Sequence, residues 1–457
     1  MAGGRVLVTD AEERSVVAAV RGLARAGYEV TATSSQRPAA GFWSRAAKQR
    51  LRLPDAREDQ LGFVERLEET LERQRHDVLL PGTEASMLAA SAGRERLARL
   101  THLGIPPHEV VEQSLDKGAL MEAATANGIA SPKGMVSRDW TELDAAARNF
   151  GFPFVLKPQR SLVSRGDVLR HCGSVLVHDE QELEQRIGQF GFPVIVQHAE
   201  RGAPVYSFAG VYAGGRLLAC AFARYFRTWP PEAGSASFAE TRLPDPALTE
   251  QVASLIREIG WEGIFELELL QLEDGRFAVI DFNPRVYGSL SLALSAGANL
   301  PAIWCDWVRT GEAASGVVTA RPGVRYRFED AELRNFVSMV SQARLGEALG
   351  IARPRREVAH AYFSWGDPGP LVVHAIELVK HGREQRAASR RSDAASRQGS
   401  TQMSRPGKTG AVVSSGIQLL LAYLVALPFV LLVRVLRSIK WRVLGRRSAR
   451  APGAERA

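Results

Sequence analysis

Along the first hundred residues, short apolar runs alternate with stretches of helical spacing. Val6-Leu7-Val8 reads as a buried strand, residues 15–26 carry apolar positions three and four apart, and Gly27 separates that helix from a strand over residues 28–33. Asp77-Val78-Leu79-Leu80 repeats the strand pattern and is closed by Pro81-Gly82, with a helix expected from about Glu84. Strands alternating with helices predict a parallel sheet covered by helices. Ligands of such sheets gather at the carboxyl ends of the strands, which here carry Thr9-Asp10 and Thr83-Glu84. Turn chemistry and helix capping account for those four residues more simply.

From about residue 105 to 308 the pattern changes. A helix opens at Ser114-Leu115-Asp116-Lys117 and breaks at Gly128-Ile129-Ala130-Ser131-Pro132. Strands follow at Phe154-Val155-Leu156-Lys157-Pro158 and Val194-Ile195-Val196-Gln197. Two more, near residues 265–272 and 276–282, flank Glu273-Asp274-Gly275, a hairpin signal, and a helix is expected from Ser289. Residues 313–381 read as a smaller α+β appendage of unassigned fold. Residues 382–410, rich in Arg, Ser, Gln and Gly, read as a disordered linker. Residues 417–433 carry no charge, and the apolar stretch 411–434 is long enough to cross a hydrocarbon core. It is expected to span a membrane once, with an in-plane anchor kinked at Pro428 as the alternative.

The organisation is then an N-terminal α/β domain (1–104), a second and larger domain (105–312, with a subdomain near 133–196), the appendage (313–381), the linker, the membrane segment and a basic tail (435–457). The formal charge is +8, from 58 Lys and Arg against 50 Asp and Glu. Residues 381–457 hold fifteen of the bases and three of the acids, which leaves the first 380 residues at −4. Basic residues beside an apolar run point to anionic lipid. Only Trp441 interleaves with them, so no stacking platform for nucleic acid is indicated. The three cysteines, Cys172, Cys220 and Cys305, have neither disulfide nor zinc spacing and fit a reducing compartment. No secretory leader pattern opens the sequence, so the expected location is the cell membrane with the catalytic domain cytoplasmic.

The candidate chemistry concentrates in the predicted hairpin. Alternate strand residues share a face, which groups Glu266 with Glu268, and Asp281 with Asn283 and Arg285. Carboxylates and an amide oxygen beside a guanidinium suit a phosphate-bound divalent ion. The same spacing fits an exposed strand face with ordinary ion pairs. Lys157 ends an apolar run where a free ammonium would be costly. No nucleophile-elbow sequence is present, and His171, His178 and His198 lack metal-ligand spacing.

The residues themselves carry a resemblance. Asp281-Phe-Asn283-Pro-Arg285 followed by Val-Tyr-Gly-Ser-Leu resembles the signature of the ATP-grasp superfamily. Ser-Leu-Asp-Lys117, Phe-Pro-Phe-Val-Leu-Lys157-Pro and Val-Ile-Val-Gln-His-Ala-Glu-Arg-Gly202 are similar, in the same order, to its nucleotide-domain entry, its lysine strand and its adenine hinge. Tyr-Phe-Ser-Trp-Gly-Asp-Pro-Gly-Pro370 is similar to a segment of bacterial carboxylate–amine ligases of that superfamily, and the likeness runs through residues 1–380.

The resemblance implies ATP and Mg²⁺ (or Mn²⁺) as cofactors. Lys117 and Lys157 would hold phosphates, and Gln197, His198 and Ala199 would meet adenine, mainly through backbone. Glu268, Asp281 and Asn283 would ligate the metal, Glu268 being chosen because it lies seven residues before Gly275. Arg285 would steady the transferred phosphoryl group, and Arg227 would face a substrate carboxylate or simply pack in a surface loop. The sequence departs from the family's pattern in three places: no acid follows Gly202, Gln197 and His198 stand where acids are common, and the loop after Lys157 has one glycine, Gly166. The implied activity is ATP-dependent activation of a carboxylate for attack by an amine, on small-molecule or lipid- or glycan-linked substrates, in a chain that would form homodimers. A silent nucleotide-binding scaffold and carbamoyl-phosphate- or carboxylase-like chemistry on bicarbonate are the alternatives.

Overall fold

The computed structural model describes residues 3–231, 234–353, 355, 357–378 and 380. The predicted linker, membrane segment 411–434 and basic tail lie outside the described residues. Among the described residues, no helix is long and apolar enough to cross a membrane. Packing divides the chain into residues 1–332 with 353–375, and residues 333–352 with the stretch from 376 onward. The first unit holds the three sheets and the site described below.

Its N-terminal part is a five-stranded sheet in the order Ala47–Arg52, Glu29–Ser34, Arg5–Val8, Val78–Leu80, His102–Leu103, with every pairing parallel. Val6, Leu7 and Val8 are fully buried, as a central parallel strand covered on both faces requires. The helix expected over 15–26 is Arg14–Arg25. Thr83 caps the helix Glu84–Ala92 in a reciprocal capping box with Ser86, so its predicted structural role holds.

A four-stranded antiparallel sheet follows, in the order Val175–Val177, Phe154–Pro158, Val194–His198, Gly134–Ser137. Two helices cover it, Trp140–Phe150 and Glu180–Ile187, each capped by an aspartate (Asp139, Asp179). Leu143, Phe154, Leu156, Val177, Val194 and Val196 form a core of their own. The loop expected after Lys157 is instead a β-hairpin, Leu162–Arg165 against Val168–His171. Gly166 makes its turn at φ +61°, a conformation that favours glycine.

The third sheet has eight strands, running Phe277–Asn283, Gly263–Gln271, Val205–Ala213, Arg216–Trp229, Ser235–Arg242, Arg325–Arg327, Val358–His360, with Val318–Thr319 beside Arg216–Trp229. The last three elements come from the stretch expected to fold as an appendage. They extend the catalytic sheet instead, and at two or three residues each they show no readable periodicity. The helix Pro246–Ile259 buries Leu248, Val252, Leu255 and Ile256 in one core with Phe208, Phe265 and Leu267 of this sheet. That core leaves the opposite sheet face to carry polar groups.

Candidate functional site

The predicted hairpin forms, pairing Gly263–Gln271 with Phe277–Asn283 in antiparallel register. Glu268 lies opposite Asp281, and Glu266 opposite Asn283. Cross-strand neighbours of this kind hold their side chains a few ångströms apart on one face. Glu266 is buried at 4 % exposure, and its Oε1 accepts from the Tyr225 hydroxyl (3.0 Å) and from Ser289 Oγ (3.3 Å). Its Oε2 accepts from Asn283 Nδ2 at 3.2 Å, which orients the amide. Arg285 donates through Nη2 to Asn283 Oδ1 at 3.2 Å and to Glu84 Oε1 at 3.1 Å.

Two lysines reach the same carboxylates from other elements. The helix Lys117–Ala126 starts at Asp116, whose carboxylate accepts from the amides of Gly118 (2.8 Å) and Ala119 (3.1 Å). Lys117, its buried first residue, is ion-paired with Asp281. Lys157, also buried, donates from Nζ to the Ile280 carbonyl at 3.0 Å, one residue from Asp281. Gln159 joins the two supports: its Nε2 donates to Asp116 (2.7 Å), and its carbonyl accepts from the Lys117 amide (3.0 Å).

Burial and crowding perturb these groups in opposite directions. Burial, with Glu266 and Asp281 close by, pushes the Glu268 carboxyl up to about 8. Burial also raises Glu266, to about 7. Burial works against Asp281 too, but the charge and hydrogen bond of Lys117, helped by Lys157, hold it below the ordinary carboxylate range. The Lys157 ammonium is pushed down to about 8 by burial and by its neighbour Lys117. Clusters of this kind are a signature of functional clefts.

The donor set fits a divalent cation. The carboxylates of Glu84, Glu266, Glu268 and Asp281 lie among the cations of Arg14, Lys117, Lys157 and Arg285. Glu268 has no side-chain hydrogen bond among the described residues. A hard ion that prefers carboxylate and amide oxygens would find Glu268, Asp281 and Asn283 on one hairpin. Among the described residues, no group of three or more His, Cys, Asp or Glu is placed to hold a metal ion, so the two carboxylates and the Asn283 amide would act with phosphate and water. Mg²⁺ tolerates this, because it usually keeps several positions for phosphate and water.

The remaining predicted residues fall as follows. Gln197 is buried and turns its amide away to the Pro132 carbonyl (3.3 Å), while the exposed His198 uses its amide on the Lys133 carbonyl (2.8 Å). They close the Val194–His198 strand, an inner strand of the four-stranded sheet, and Ala199 follows directly. Arg227 requires a correction. It lies within the strand Arg216–Trp229 and not in a loop, and its guanidinium is clasped by Glu332, with Nε to Oε1 at 2.9 Å. With Nε and Nη2 engaged on Glu332, that side of the fork is taken by a structural partner.

Sequence reasoning passed over several contributors. Glu84, read as helix-start chemistry, joins Arg285 across 201 residues and leaves its buried Oε2 without a hydrogen bond. Its place at the carboxyl end of a parallel strand was the available signal. Asp10, at the end of the central strand with φ +61°, accepts from Ser86 Oγ at 2.6 Å. Arg14 donates to the Gly288 carbonyl (3.2 Å), and Tyr225 and Ser289 anchor Glu266. Arg14, Tyr225 and Ser289 carried no local pattern.

Comparison with known proteins agrees with this geometry. No family model matches the chain. The carbamoyl phosphate synthase large chain of Bifidobacterium animalis subsp. lactis is 24% identical over 369 residues, covering 69% of this chain and 31% of that protein. The Thermus thermophilus large chain is 27% identical over 260 residues, covering 51% and 24%. The chain therefore spans about a third or less of the length of these curated relatives. Among solved structures, the biotin carboxylase domain dimer of Hydrogenobacter thermophilus 2-oxoglutarate carboxylase, in complex with MgADP, ADP and bicarbonate, superposes with a TM-score of 0.55 at 16% identity, covering 71% of this chain and 74% of that one. L-amino acid ligase from Bacillus licheniformis gives 0.52 at 15%, covering 68% and 75%. The chain thus shares the fold of these solved structures and is similar in sequence to carbamoyl phosphate synthase large chains, with its motifs in the order of the ATP-grasp resemblance.

Proposed function

We propose that this chain is an ATP-dependent ligase that activates a carboxylate as an acyl phosphate for attack by an amine. The observation that carries the reading is the pairing of Glu268 with Asp281 across the hairpin, with Lys117 on Asp281, Lys157 on the adjoining Ile280 carbonyl and Arg285 on Asn283. Glu268, Asp281 and Asn283 would hold Mg²⁺, which supplies charge neutralisation for phosphate. Lys117 and Lys157 bind phosphate oxygens, Lys117 exchanging its partner Asp281 for nucleotide. Arg285, oriented by Asn283 and Glu84, faces the transferred phosphoryl group. The end of the Val194–His198 strand meets adenine through backbone groups. Phosphoryl transfer asks mainly for such positioning and cationic stabilisation, not for a side-chain nucleophile.

The finer assignments belong to the same proposal. The chain associates with membranes through residues 411–434, supported by the charge-free run 417–433 and its basic flanks. It works as a homodimer on small or lipid- or glycan-linked acids. The test is phosphate release from ATP across a panel of carboxylates and amines. Acid-dependent release that disappears in Asp281→Asn supports a ligase, whereas nucleotide binding without turnover on any acid rejects it. Bicarbonate belongs in the panel, because the relatives include carbamoyl phosphate synthase large chains and a biotin carboxylase domain crystallised with bicarbonate. Bicarbonate-dependent release without any other acid would move the assignment to carboxylase-like chemistry.

A further inference from the structure

A cavity of about 990 Å³ opens on the N-terminal domain between the edge strand Ala47–Arg52 and the helix Gln60–Arg73. Arg37, Arg50, Arg52, Arg66 and Arg73 line it together with Trp43, and no acidic side chain does. The one acid in touch is Glu69, which sits 2.6 Å from Arg66 and 3.6 Å from Arg73. Five guanidiniums against one carboxylate leave about four positive charges around one concavity. Arg37 and Arg50 have no hydrogen-bond or ion-pair partner among the described residues, and Arg52 donates only to the Ser35 carbonyl (2.9 Å).

Charged side chains commonly guard the edge of a sheet against pairing with another chain. Such a guard needs charges on the strand alone. It does not account for Arg66 and Arg73, which approach from a helix, nor for the absence of acids. Like charges drawn together around a cavity repel one another, so the arrangement is stable in company with a polyanion. A single carboxylate would neutralise one guanidinium. A diphosphate matches several at once, because its oxygens accept the parallel N–H forks of arginine. Trp43, 61 % exposed, adds an apolar and aromatic surface at the same opening.

We propose that this cavity binds a diphosphate-bearing ligand at a site separate from the Glu268–Asp281 cleft. The diphosphate's companion rests on Trp43, whether the phosphate is free in solution or belongs to a lipid headgroup. The experiment fills the ATP cleft of the full chain with a saturating non-hydrolysable ATP analogue, then titrates inorganic pyrophosphate calorimetrically. One further binding event is expected, weakened at least tenfold in Arg37→Ser/Arg50→Ser. Both arginines are exposed, so this variant should melt with the parent and keep its ATP turnover. No further event in the parent, or equal affinity in the folded variant, overturns the proposal. Flotation with phosphatidylcholine vesicles, with and without a lipid whose headgroup is a diphosphate ester, assigns the source. A preference for the diphosphate headgroup that the variant loses supports a lipid ligand. A preference unchanged in the variant, with pyrophosphate binding lost, supports a soluble one.

Discussion

Replacing Glu332 by Gln tests whether Arg227 is a structural residue or a substrate ligand. The Glu332 side chain is 3 % exposed and that of Arg227 20 %, so the pair is held away from water. Glu332 also accepts from Ser237 Oγ at 2.8 Å, and Arg227 lies over the Phe238 ring at 4.6 Å. The substitution preserves shape and one acceptor but leaves Arg227 facing a neutral amide. Arg327 stands in the same field: burial holds its guanidinium below the ordinary value, and Glu332 opposes that fall. Removing one partner of a buried pair costs about 3–5 kcal/mol. With Ser237 still served, Glu332→Gln should cost about 3 kcal/mol, read as a lower urea midpoint at unchanged slope. Arg227→Met/Glu332→Leu, which removes both charges, should recover about half or more of that loss. A change under about 0.5 kcal/mol in Glu332→Gln would refute the reasoning. So would a rise in KM for the acid substrate in Arg227→Met without loss of stability, which would return Arg227 to the substrate site.

Three further outcomes are expected. Lys157→Met should keep the fold, as judged by circular dichroism, while acid-dependent ATP turnover falls roughly 10²–10³-fold, the usual consequence of removing one preorganised electrostatic contact. Asp367 accepts from Arg21 (2.8 Å), Ser44 (2.6 Å) and the Arg45 amide (2.9 Å). Burial pushes its carboxyl up, but these three partners outweigh it and hold the group below the ordinary range. Its contribution is therefore complete above the unfolded value near ~3.9 and is lost as pH falls through the folded one. The gap in melting temperature between parent and Asp367→Asn should accordingly narrow only under acid conditions. Gly166→Val meets no neighbouring atom within 4 Å, so its cost is the backbone penalty at φ +61°, about 1–2 kcal/mol. Limited proteolysis between residues 160 and 172 should speed up accordingly.

What could be read from the sequence was local. The hairpin was legible because Glu273-Asp274-Gly275 separates two alternating runs, and alternation assigns Glu266 and Glu268 to one face. Lys157 stood out as a charge ending a buried strand, and Thr83 as a helix cap. The contact between Glu84 and Arg285 spans 201 residues, and no period in either segment announces it. Arg227 was misread for a similar reason. Its partner arrives on the helix Glu329–Ser341, beyond a stretch whose strands are too short to show a pattern. The family resemblance supplied the order of motifs, while the register that brings Glu268 opposite Asp281 came from the structure.

The bridge through Gln159 has a mechanical corollary. Because that residue grips both Asp116 and the Lys117 amide, the two ammonium groups sit on a common mount, whereas the acids they serve belong to a different sheet. The Lys117 helix, however, shares its core with the hairpin through Leu120 and Ala124, whereas the Lys157 strand packs in the core of the four-stranded sheet. An outward tilt of that sheet would therefore load the Gln159 bridge first and carry off the Lys157 charge, while Lys117 stays with the acids.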